Sequence, residues 1–136
     1  MTMKRRTGRI ATLACGAAVL PLLMAPSASA ASWSSTIRDW VVGNESRHWD
    51  DEGSITVTFQ GCDPRGLKSV GVRIWEDVSW NPDPKLGLRT FTQCTKPYPD
   101  NFSKGTWSGL GSGKYYFKID SLSGANTLSV YKVYVR

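Results

Sequence analysis

Ser54-Ile55-Thr56-Val57-Thr58-Phe59-Gln60-Gly61-Cys62 is the stretch from which the fold is read. Ile55, Val57 and Phe59 alternate with Thr56, Thr58 and Gln60. That period of two gives a half-buried β-strand, one face apolar and the other polar. Asp63-Pro64-Arg65-Gly66 reads as a turn, with Pro64 setting φ and Gly66 free to take positive φ. Val70, Val72 and Ile74 then alternate with Gly71, Arg73 and Trp75 on a second strand. Asn81-Pro82-Asp83-Pro84 breaks the chain, because two prolines cannot donate to a central ladder.

The pattern resumes at Leu86 and Leu88 and runs through Phe91 to Cys94. Lys96 to Asn101 is a Pro-rich loop and Gly105 to Gly113 is Gly-rich, with Thr106-Trp107-Ser108 a candidate short edge strand. Tyr115, Phe117 and Ile119 face one way on a further strand, and Tyr116, Lys118 and Asp120 the other. After the turn Ser123-Gly124-Ala125-Asn126, a last strand from Thr127 to Val135 is dense in β-branched and aromatic residues. Six or seven short strands with no long helical period predict an all-β fold. The expected architecture is a single small antiparallel β-sandwich, immunoglobulin-like, over residues 54–136. A barrel of the oligonucleotide-binding kind is the competing all-β arrangement.

At the other end of the chain, Lys4, Arg5, Arg6 and Arg9 precede an apolar run from Ile10 to Met24, and Ala28-Ser29-Ala30 forms an Ala-x-Ala cleavage site. This order is that of a secretory signal peptide over residues 1–30, and the apolar run is too short for a stable membrane span. Cys15 does not make it a lipoprotein leader, since Thr12 stands where an aliphatic residue belongs and most of the apolar run follows the cysteine. The expected protein is secreted and extracellular, with no membrane attachment. Removing the leader also changes the charge. The chain has 17 basic and 11 acidic residues and a formal charge of +6. Four basic residues and no acidic ones lie in the leader, which leaves 13 against 11, a net charge of +2. No run of Lys or Arg remains, so no nucleic-acid partner is expected.

The mature part holds two cysteines, Cys62 and Cys94, and an oxidising compartment makes a disulfide between them the expected pairing. Zinc would need a fourth ligand beyond two cysteines and the one histidine. Residues 31–53 read as an N-terminal extension. Trp33, Ile37, Trp40 and Val41 have the spacing of a short helix with Ser32 as its N-cap, while Thr36 to Val42 is equally compatible with an edge strand. Asp50-Asp51-Glu52 reads as a solvated acidic turn. It lacks the ligand spacing of an EF-hand and the separation that paired glycosidase carboxyls require. His48 has no strained nucleophile turn beside it. The expectation is therefore a non-enzyme with no cofactor and no metal site.

Six tryptophans are many for a domain of this size. Trp75 suits a core, whereas Trp33, Trp40 and Trp49 fall in the extension and Trp80 and Trp107 flank Pro- or Gly-rich loops. Tryptophan outside a core is an efficient binding anchor, and so is an exposed Arg such as Arg47 beside aromatic neighbours. These residues would either staple the extension to the domain or contact a partner. The Ala-rich leader, the single disulfide and the Trp/Tyr/Gly-rich β-domain resemble small secreted proteins of actinobacteria such as Streptomyces. A Ser/Trp extension leading into Ser46-Arg47-His48-Trp49-Asp50 and then a compact sandwich is similar to the small adaptor subunit of umbrella toxin particles. That resemblance implies a non-catalytic adaptor for antagonism between bacteria. It would join a trypsin-like, lectin-bearing subunit to a large repeat-containing toxin polypeptide. It further implies docking through Trp33, Trp40, Arg47, His48, Trp49 and Asp50. The competing readings are an inhibitor of a secreted protease or amylase, and a carbohydrate-binding module presenting Trp80, Trp107 and Tyr115 or Tyr116.

Overall fold

A computed structural model describes residues 32–136; the leader at 1–30 lies outside the described residues. The chain is all-β, with six antiparallel strands: β1 (Trp33–Trp40), β2 (Trp49–Cys62), β3 (Ser69–Asp77), β4 (Lys85–Phe91), β5 (Phe102–Ser123) and β6 (Leu128–Val135). No helix long and apolar enough to cross a membrane occurs among the described residues. The expected alternation holds on β2, where Ile55, Val57 and Phe59 are fully buried, and on β3, where Val70, Val72 and Ile74 are.

The layers are not two separate sheets. All six strands form one sheet in the order β1-β6-β2-β5-β3-β4, which folds over on itself. The 22-residue β5 makes this possible: Phe102 to Tyr115 pairs with β2, and Lys114 to Ser123 pairs with β3. Phe59 of β2 therefore meets Phe91 of the edge strand β4 edge-on, with ring centroids 4.9 Å apart, and Phe117 of β5 at 5.8 Å. The segment after β1 runs along the second half of β5, with the Gly43 N–H donating to the Ile119 carbonyl and the Ser46 N–H to that of Phe117, both at 2.9 Å. A sandwich-like core results from one continuous hydrogen-bonded sheet.

The Gly-rich Gly105–Gly113 stretch, where only Thr106–Ser108 was expected as a short edge strand, is the interior of the 22-residue β5, between β2 and β3 in the sheet. Glycine there is accommodated by a bend: the β2–β5 register shifts around Gly53, and Gly109 takes a φ of +70°. The Cys62–Cys94 disulfide is formed, and it joins the end of β2 to the turn after β4. The Cys62 N–H donates to the Cys94 carbonyl at 2.7 Å, and Ser103 Oγ accepts from the Cys94 N–H at 2.8 Å. The crosslink thus sits in a hydrogen-bonded, buried corner.

The boundary at residue 53 is the main correction. Residues 33–40 form strand β1 on the edge of β6, the edge-strand alternative and not the helix, and 49–53 are the first residues of β2. The helix-like spacing of Trp33, Ile37 and Trp40 has a specific cause. Four residues already return Trp33 and Ile37 to one face of a strand, and between Ile37 and Trp40 β1 takes three residues against two of β6, an extra residue that keeps Trp40 on the core side as well. The supposed extension is part of the domain.

Candidate binding surface

The loop between β3 and β4 carries the most unusual residue of the molecule. Trp80 is 100% exposed, and its backbone lies in the left-handed region with a φ of +72°. A non-glycine residue held there costs on the order of 1 to 2 kcal/mol, so its surroundings must hold it in place. Pro82 and Pro84 fix φ on either side of Asp83, whose side chain closes the loop as an acceptor. Its Oδ1 accepts from the Val78 N–H at 3.1 Å, and its Oδ2 accepts from the Tyr116 hydroxyl at 2.6 Å. The Glu76 N–H donates to the Pro84 carbonyl at 3.0 Å, pinning the loop's base.

Tyr116 connects this loop to the segment before β2. The His48 ring stacks on the Tyr116 ring, with centroids 4.2 Å apart and planes 6° from parallel. His48 Nδ1 lies 2.9 Å from Asp77 Oδ2 and Nε2 lies 3.4 Å from Glu45 Oε1. Lys118 Nζ reaches Glu45 Oε2 at 3.6 Å and sits over the Trp75 ring at 4.8 Å. The hydrogen bond from the Tyr116 hydroxyl, followed by that from Val78, holds the Asp83 carboxyl below its ordinary range. Burial, followed by the hydrogen bond to Asp83, pushes the Tyr116 phenol well above its ordinary value. Both shifts favour a phenol donating to a carboxylate, which is the state that closes the loop.

The other residues expected to dock a partner are dispersed. Trp49 is buried, meets Trp33 edge-on at 5.4 Å and donates its indole N–H to Asp51 Oδ2 at 3.2 Å. Trp33 lies parallel to Phe117 at 6.2 Å, and Trp40 packs on Phe117 at 6.0 Å. Trp33 and Trp40, both half-buried, and the buried Trp49 thus tie β1 to β2 and β5. Arg47 is exposed, with its guanidinium 4.6 Å from the Trp33 ring centroid, and Asp50 is exposed opposite Lys114. Asp51 is buried and accepts the Glu52 N–H as well as the Trp49 indole, so the acidic triplet is a strand and not a solvated turn.

The aromatic platform expected for a glycan is also absent as drawn. Trp107, Tyr115 and Tyr116 are all buried, which leaves Trp80 alone of that set. Trp75 lies half-buried under Lys118 and not in the core proper. Among the described residues no group of three His, Cys, Asp or Glu is placed to hold a metal ion. Both His48 nitrogens face carboxylates, Asp77 and Glu45, and neither contacts a hydroxyl or thiol. The sequence placed Trp80 beside a Pro-rich loop but assigned docking to the N-terminal segment. The reading of Asn81-Pro82-Asp83-Pro84 as a chain break did not show that the Asp83 carboxylate accepts from Val78 and Tyr116 and so orders the loop. Comparison with protein-family models, curated proteins and solved structures finds no match to this chain.

Proposed function

We propose that this chain is a secreted, non-catalytic protein-binding module, acting as an adaptor between subunits of an extracellular antibacterial toxin complex. Trp80 is the observation that carries the reading: a fully exposed indole on a loop braced by Asp83 and Tyr116. Water gains nothing from an indole held out in a strained conformation, whereas an apolar partner pocket gains a large rigid anchor. His48, Asp77 and Glu45 beside the loop, with neighbouring Arg47, supply a polar rim. Secretion rests on the leader at residues 1–30 and agrees with the Cys62–Cys94 disulfide.

The layout of the sequence supports partners of the umbrella-toxin kind: a trypsin-like, lectin-bearing subunit and a large repeat-containing polypeptide. The docking element proposed is the Trp80 loop with Arg47 and His48, in place of the N-terminal segment. Affinity capture with the tagged chain from the producing culture's supernatant tests this. Recovery of both partners by the native chain, and of neither by Trp80→Ala, is the expected result. Equal recovery by Trp80→Ala overturns the docking element. Recovery of a single hydrolase, inhibited by the free chain, replaces the adaptor by an inhibitor.

A further inference from the structure

A second surface, sharing no residue with the Trp80 loop, lies on the outer face of β6, β2 and β5. Strand register arranges it as a three-by-three grid. Tyr134, Thr58 and Lys104 lie in one row across the three strands, and Lys132, Gln60 and Phe102 in the next. Arg136, Thr56 and Thr106 make the third, with the Arg136 and Thr56 main chains exchanging hydrogen bonds and the two threonine hydroxyls 2.9 Å apart. The Tyr134 hydroxyl donates to Gln60 Oε1 at 3.3 Å, and Lys132 Nζ lies 5.8 Å from the Tyr134 ring centroid. Six of these side chains line one open groove of about 530 Å³.

We infer that this face binds an acidic polysaccharide, a sugar polymer bearing sulfate or phosphate groups. The grid has three cations, Lys104, Lys132 and Arg136, and no acidic side chain. Strand spacing and rise put their Cα atoms about 12 to 14 Å apart, so an extended polymer matches the triangle better than one small anion. Between the cations stand Thr56, Thr58, Thr106 and Gln60, hydroxyls and an amide suited to sugar hydroxyl groups. Phe102, 43% exposed, offers an apolar surface to a sugar ring. A neutral glycan would leave the three cations unpaired. A single-stranded nucleic acid would want stacking platforms. Tyr134 is half-buried with its hydroxyl engaged and a lysine over its ring, so it is a poor one.

The test is binding of the purified chain to immobilised heparin oligosaccharide over a range of salt, beside dextran and a thymidine oligonucleotide of matched charge. Heparin binding that weakens with salt, at least tenfold tighter than the oligonucleotide and with no dextran binding, is expected. The double substitution Lys104→Ala/Arg136→Ala should weaken it tenfold or more. Arg65→Ala/Lys96→Ala removes equal charge elsewhere and should change it less than twofold. Absence of heparin binding at low salt overturns the inference, as does oligonucleotide binding of equal strength. Equal losses in the two double variants would assign the effect to net charge and overturn it too. Lys104→Gln alone, at an exposed position, repeats the test should the first pair lower the melting temperature.

Discussion

Trp80 and the pair Asp83–Tyr116 divide the work of one loop: the indole is displayed and the pair holds it. Trp80→Ala removes no buried contact, so its thermal midpoint should stay within about 1 °C of the native value or rise slightly, measured by scanning calorimetry. Partner affinity should fall by about 2 kcal/mol or more, the size expected of a central aromatic anchor. The holding pair makes stability pH-dependent at both ends. Asp83 has a lowered value in the folded chain, so its contribution is present above the ordinary carboxyl value near 4 and disappears as pH falls through the folded one. Tyr116 has a raised value, so its contribution is present below the ordinary phenol value near 10 and is lost as pH rises beyond it. Melting temperature against pH should therefore show a plateau with two falling limbs. Asp83→Asn should flatten part of the acid limb and Tyr116→Phe part of the alkaline one. Unchanged limbs in both variants would mean that the pair does not couple to folding.

Among the elements, β1 separates a structural role from a docking role most sharply. Ile37 is buried at the centre of β1 against β6, and Ile37→Ala should cost about 2 to 5 kcal/mol in urea denaturation. Trp49→Ala should cost about 3 to 5 kcal/mol for the same reason, where a free arm would have given almost none. The disulfide acts between elements: its cysteines are 32 residues apart, and Cys62→Ala/Cys94→Ala should lower stability by about 3 to 4 kcal/mol, chiefly by freeing the unfolded chain. Much of this level was legible beforehand. The alternation of β2 and β3, the Asp63–Gly66 turn and the cysteine pair needed only neighbouring residues to be recognised. β1 was legible only as one of two alternatives, helix or edge strand, because an extra residue between Ile37 and Trp40 gives a strand the apolar spacing of a helix. The Gly-rich half of β5 was not legible because local propensity opposes a strand, and pairing with β2 along its whole length overrides it.

For the molecule as a whole, the fold depends on one sheet closing over its own face. At Gly105 the side chains of β4 pack directly against the β5 backbone. A Cβ there would lie 2.9 Å from Arg89 Cγ and 3.1 Å from Phe91 Cε1. Gly105→Ala should cost about 1 to 3 kcal/mol through overpacking, read as a shift of the urea midpoint at constant slope. Arg89 reinforces this contact from the side, its guanidinium donating to the Thr106 carbonyl from Nε at 3.2 Å and Nη2 at 3.1 Å. Closure also has a functional effect. It brings the segment at Glu45–His48 onto Tyr116, and so beside a loop some thirty residues further along the chain.

The all-β class, the faces of β2 from Ser54 and of β3, and the disulfide were determined by the sequence alone. Each rests on a local period, a turn or a count of cysteines. The tertiary structure alone decided that the strands make one sheet, that Trp33, Trp40 and Trp49 face inward, and that Trp80 faces out. The physical reason is that a tryptophan has the same propensity in a core as on a surface. Which of the two it occupies depends on what the sheet, once folded over, has left to cover it.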